Sequence, residues 1–203
     1  MQTADTSSRD RLLDTALALF ASRGYAATST GEIQKACGMS PGSGALYRHF
    51  RSKSDVLRAA LRRGLDRMRT SLAWRQATTP AERLDALASV AAATQQTITD
   101  NADLVRLMLH EPDAVPDIVE ELWVHNLAIA YRTMGQALQA SAQEAGTEID
   151  DPDAISAVLL AALSYMPVMQ VLLGRAPGDM DPDRFQDAWL RLSRAVFTHG
   201  VPD

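Results

Sequence analysis

The sequence predicts an all-α protein, with a compact three-helix N-terminal domain followed by a larger helical domain. Three observations carry this. Aromatics are only 5% of the 203 residues, while alanine and leucine are plentiful, a balance that favours helices over sheets. Apolar residues recur at helical spacing through most of the chain. Glycine and proline interrupt that periodicity at intervals suited to short helices. The 46% apolar and 22% charged content is that of a globular protein. The single cysteine, Cys37, excludes an internal disulfide framework and any multi-cysteine metal site. The longest uninterrupted apolar stretch, Ala157–Leu163, is far short of the ~20 residues that span a bilayer, so no membrane segment is expected. The first eight residues lack a basic start and apolar core, so a cytoplasmic protein is expected.

Each element has a local reason. Leu12, Leu13, Ala16, Leu17 and Phe20 form one stripe of a helix over about 9–23. Gly24 suits its left-handed cap, with Tyr25 as the apolar residue beyond. Ser29 and Glu32 have capping-box spacing and open a short helix through Cys37, ended by Gly38. Ser40 and Pro41 offer a cap and a first-turn proline for another short helix carrying Leu46, Tyr47 and Phe50. Ser52 and Asp55 form a further cap pair, opening a helix to about Ala73. Further helices are expected over 81–100, 102–110, 117–145, 153–173 and 182–198. Pro167 should kink the fourth of these, because it removes an intrahelical donor. The domains are expected at 1–73, with a core of about 9–63, and 74–203. Three short helices with a glycine-containing turn before the third suggest a helix-turn-helix.

The net charge of −5 conceals a division. Residues 1–70 hold twelve Lys/Arg and six Asp/Glu, a net +6; the remainder holds eight bases and nineteen acids, a net −11. A basic module for a polyanion, joined to an acidic body, explains this asymmetry. A solvated basic face over Arg58–Arg69 is the plainer alternative.

Residues 9–63 resemble the TetR family of bacterial transcriptional regulators. The resemblance rests on Leu13-Asp-Thr-Ala-Leu-Ala-Leu-Phe20, Gly24-Tyr25, Thr28, Ile33, Ala36-Cys-Gly38, Ser40, Leu46-Tyr-Arg-His-Phe50 and Ser52-Lys53. The stretch Pro41–Ala45 is about two residues longer than the family's common spacing, so the recognition helix starts at Ser40 or Ser43. The resemblance implies a homodimer whose third helices enter the major groove of a palindromic DNA operator. It also implies a C-terminal domain that dimerises through its last two helices and releases the operator when a small effector binds.

Phosphate contacts supply most DNA affinity, and base edges supply specificity. Thr28, Ser29 and Thr30 stand at a helix N-terminus, suited to phosphate or to capping alone. Tyr47 and His49 match the family's backbone-contacting positions; core packing is the alternative for Tyr47. Lys53 opposes the dipole of its own helix, which a phosphate would explain. Arg48 suits guanine or phosphate. Gly42, Ser43, Gly44 and Ala45 are small enough to let a helix end sit deep in the groove, with Ala45 against a thymine methyl.

In the acidic body, Trp123, Asn126 and Met134 share a helical stripe. With Met108, His110, Tyr165, Met166 and Met169 they suggest a pocket for a small, largely apolar effector, or else ordinary core. Ala154, Ala157 and Ala161 permit close helix approach. Phe185, Trp189, Leu192 and Val196 form a stripe that suits a four-helix dimer interface or intramolecular packing. No metal is expected, since His110, Glu111 and His125 lack ligand spacing, and no cofactor fingerprint is present. A DNA-binding dimer without an effector is the second reading. An all-helical enzyme is the third, and no catalytic constellation supports it.

Overall fold

The computed structural model describes residues 8–40, 46–68, 77–110, 116–121 and 127–200, which are mainly helical with no strand among them. In chain order the helices are α1 (Ser8–Arg23), α2 (Thr30–Ala36), a 3-10 turn (Leu46–Arg48), α3 (Lys53–Met68) and α4 (Pro80–Asp100). They continue with α5 (Ala102–His110), α6 (Pro116–Glu121), α7 (Ala128–Ala145), α8 (Pro152–Leu173), a second 3-10 turn (Pro177–Asp179) and α9 (Pro182–His199).

Two compact units divide the chain. The first holds residues up to Arg67 together with Asp103–Glu120. In it α1 buries Leu12, Leu13, Ala16, Leu17 and Phe20, the expected stripe. Gly24 takes φ 87°, a region open to glycine, and its N–H donates to the Phe20 carbonyl at 2.9 Å. The Tyr25 ring returns against Phe20 with centroids 5.4 Å apart. Arg63 of α3 reaches back to Asp10 and Asp14 of α1, at 3.0 and 3.4 Å. The helix expected around Leu46–Phe50 is a single 3-10 turn in its described part, held by buried Leu46 and Phe50. The helix expected to reach Ala73 is described as far as Met68.

The segment 103–120 was expected in the C-terminal domain, but it clusters with the N-terminal unit. Gly64 of α3 stands against Leu104 of α5: a Cβ there would lie 2.9 Å from Leu104 Cδ2, so a larger residue would make that side chain shift. Arg58 of α3 also pairs with Asp117 of α6 at 2.8 Å. Neither contact has a local sequence signal.

The second unit holds 68–102 and 121–203. Its core joins Leu87, Met134, Leu138, Leu160, Trp189 and Phe197 from α4, α7, α8 and α9. Burying each such side chain contributes about 1.5–3 kcal/mol. Arg83 is also buried here. Its Nε donates to Ser141 Oγ at 2.9 Å, one Nη donates to the Thr78 carbonyl at 3.1 Å, and the other pairs with Glu144. A buried cation requires such partners. Gly135 of α7 lies where a Cβ would collide with the Asp153 carboxylate of α8 and come within 3.4 Å of its Cα. The helix expected over 117–145 is described in two parts, α6 and α7, with 122–126 outside the described residues. Helix α8 continues through buried Pro167. It is also long and apolar enough to cross a membrane by length and composition. Its scattered serines and prolines break any continuous apolar run without lowering the average over a full span. Helix α4 opens on a capping box, Thr79 with Glu82, that the periodicity reading overlooked.

Candidate nucleic-acid interface

The residues assigned to DNA lie around α2, the 3-10 turn and the start of α3. Gly42, Ser43, Gly44 and Ala45 lie outside the described residues. Thr28 is buried, and its hydroxyl meets the Gly24 carbonyl at 2.9 Å and the Leu19 carbonyl at 3.2 Å. It therefore closes the end of α1 and presents no surface hydroxyl, contrary to the phosphate assignment. Ser29 is the N-cap of α2. Its Oγ accepts the Glu32 N–H at 3.2 Å, while Glu32 Oε2 accepts the Ser29 N–H at 2.7 Å. Capping thus accounts for Ser29. The Ser29 backbone N–H, then its hydroxyl, and then Arg23 hold the Glu32 carboxyl below its ordinary range.

Thr30 and Tyr47 come together: their hydroxyl oxygens are 3.3 Å apart, joining the first turn of α2 to the 3-10 turn. Tyr47 is 57% exposed, so core packing does not account for it. Arg48 and His49 are exposed beside it. Leu46 and Phe50, buried on either side, turn these three polar side chains outward. Lys53 stands 4.3 Å from the centroid of the Tyr25 ring and donates to the Ala26 carbonyl at 3.4 Å. Among the described residues it has no ion-pair partner.

Of the residues assigned to an effector, Trp123 and Asn126 lie outside the described residues. Met108 and His110 belong to the first unit, apart from the others. Met134 is fully packed into the core of the second unit, and Tyr165 is half exposed. Met166 lines a small cleft, with Gln95, Leu163, Pro167, Gln170 and Phe185. Met169 is partly buried.

The dimer assignment divides by face. On α8, Ala154 and Ala161 are exposed and Ala157 is partly buried. Val158, 68% exposed, and Tyr165 extend the same face. On α9, Leu192 is 65% exposed, and Phe185 and Val196 are partly buried. Trp189 departs from the expectation: it is buried, and its indole Nε1 donates to the Leu159 carbonyl at 2.8 Å. A large ring with one donor is best satisfied in the core against a carbonyl. Val158, four residues on from Ala154, was not among the residues assigned to the interface, although the helical interval places it on that face.

Residues 12–60 match the family model for bacterial regulatory proteins of the tetR family. The HTH-type transcriptional regulator AcrR of Shigella flexneri is 50% identical over 48 residues, 24% of this chain and 21% of that protein. The HTH-type transcriptional repressor KstR2 of Mycolicibacterium smegmatis is 40% identical over 83 residues, 40% of each chain. The matches thus span less than half the length of these relatives. Among solved structures, a tetR-family regulatory protein from Rhodococcus RHA1 superposes with a TM-score of 0.66 at 22% identity, covering 97% of this chain and 99% of that one. The structure of AibR in complex with isovaleryl coenzyme A and operator DNA gives 0.65 at 20% identity, covering 92% and 97%. Identities this low establish the shared fold: an N-terminal helix-turn-helix and a larger helical domain.

Proposed function

We propose that this chain, whose residues 12–60 carry the TetR-family helix-turn-helix, is a transcriptional repressor acting in the cytoplasm. It binds a palindromic operator as a homodimer and leaves it when a small effector binds. The match of residues 12–60 carries this reading. The exposed Tyr47, Arg48 and His49 support it, as does the +6 charge of residues 1–70. Tyr47, with Thr30 beside it, serves a backbone phosphate, as do His49 and Lys53. Arg48 serves a base edge or a phosphate. The small residues Gly42–Ala45 seat the recognition element in the groove.

The homodimer forms through the outward face of α8 and α9. Ala154, Ala157, Val158 and Ala161 meet Leu192 of a second copy, with Phe185 and Val196 at the margin. An exposed apolar face of this kind marks an interaction surface. It also accounts for the high apolar content of α8 without a membrane. The effector enters the second unit near Met166, where glutamine amides stand beside apolar walls. To act, it must bind the two dimer shapes unequally; a tenfold loss of operator affinity needs about 1.4 kcal/mol of difference. The full burial of Met134 favours, at that position, the second reading of a DNA-binding dimer with a closed core.

Selection of duplexes from a random pool, followed by anisotropy titration, tests the assignment. Lys53→Ala is expected to weaken binding alike across selected and altered operators. Arg48→Ala is expected to weaken it and flatten sequence preference. Failure to select any duplex would refute the DNA-binding reading.

A further inference from the structure

Arg9 lies in the first turn of α1, where the helix dipole disfavours a cation. It is exposed, and among the described residues no carboxylate pairs with it. Its neighbour Asp10 is pledged to Arg63 at 3.0 Å. The Arg9 guanidinium carbon instead stands 5.3 Å from the centroid of the Phe50 ring. Phe50 is itself buried and directly follows the turn that exposes Tyr47, Arg48 and His49. The guanidinium is therefore held beside that turn by a ring that cannot easily move.

Lys53 repeats the device. It too lies in the first turn of a helix, has no carboxylate partner among the described residues, and rests on an aromatic face, that of Tyr25. A ring attracts a cation by its quadrupole but leaves the net charge uncompensated. An ion pair would cancel that charge. Two cations in unfavourable dipole positions, both seated on rings and neither paired with a carboxylate among the described residues, are arranged to receive anions.

We propose that Arg9 is a further contact to the DNA backbone, with Phe50 as the positioning residue that holds its guanidinium for a phosphate. The planar fork suits bidentate phosphate binding, and seating on the ring removes part of the side-chain entropy cost of that contact. This rests on the DNA-binding reading above and adds a contact at the start of α1 that the helix-turn-helix motif does not include.

The test uses the full chain and a mixed-sequence DNA duplex, with affinity measured over a range of salt concentrations. Each phosphate neutralised contributes about −0.9 to the slope of log K against log salt on duplex DNA. Arg9→Gln is expected to weaken binding and make the slope shallower by about one such contact. Arg9→Lys, which keeps the charge, should retain most of the slope. Arg194→Gln, removing an exposed cation from α9, should leave it unchanged. Phe50→Leu should weaken binding in the parent but not in the Arg9→Gln background. If Phe50→Leu fails to fold, the exposed Arg9 variants decide the matter alone. A parent slope retained in Arg9→Gln overturns the proposal while leaving the DNA-binding reading standing. A parent chain that does not bind the duplex overturns both.

Discussion

The Trp189 indole nitrogen donates to the Leu159 carbonyl at 2.8 Å, fastening α9 to α8 inside the protomer. Trp189 is 3% exposed, whereas Leu192, on the same helix, is 65% exposed. One turn of α9 thus separates a core residue from a surface one. Trp189→Ala should cost about 3–5 kcal/mol of stability, through lost burial and the cavity it leaves. Denaturant unfolding measures this directly. A loss below about 1 kcal/mol would contradict the assignment of this ring to the core.

The outward face should behave in the opposite way. Val158→Asp and Leu192→Asp place charge on exposed positions, so each protomer should keep its helix content by circular dichroism. Sedimentation velocity should then show a monomer where the parent chain is a dimer. Parent-like association of the double variant would exclude this face as the interface.

Gly135 offers a test of the α7–α8 contact. Adding a methyl group by Gly135→Ala sets it against the Asp153 carboxylate and close to the Asp153 backbone. Overpacking of this kind costs about 1–3 kcal/mol. Asp153→Ala in the same chain should recover part of that loss, because it removes the nearest colliding atoms. The melting temperatures of the two single variants and the double variant decide the coupling.

Two capping carboxylates should contribute to acid sensitivity. Backbone N–H groups of Thr78 and Thr79 hold Glu82 below its ordinary range, as the Ser29 N–H and hydroxyl hold Glu32. A carboxyl lowered in the folded state stabilises the fold above its unfolded pKa, near 4.5. That stability is lost as pH falls through the lower, folded value. The melting temperature should therefore fall below about pH 4.5. A chain carrying both Glu32→Gln and Glu82→Gln should show a shallower fall over that interval. Parallel profiles for parent and variant would refute a contribution from these caps.

Much of the first unit was legible because its signals are local. The α1 stripe, Gly24 with Tyr25, the Ser29–Glu32 box and the Ser52–Asp55 pair all act within a turn or two. Each appears where the spacing places it. The match of residues 12–60 then rests on a contiguous segment whose motifs need no tertiary information. The bond between Thr30 and Tyr47 joins residues seventeen apart, and no periodicity announces it.

What the sequence alone determined is the helical character, the stops and caps, the basic first third and the candidate polar residues around Leu46–Phe50. Tertiary structure decided which of equally spaced residues face inward. Thr28 and Ser29 are adjacent hydroxyls, yet one is buried beneath the end of α1 and the other caps α2. Trp189 and Leu192 share a stripe by spacing, but only the indole found a carbonyl across the α8–α9 contact. Segment 103–120 clusters with the first unit, where Leu104 meets Gly64 and Asp117 meets Arg58. The physical reason is common to these cases. Local patterns state that a side chain must be buried or partnered, while the partner is set by packing between segments distant in the chain.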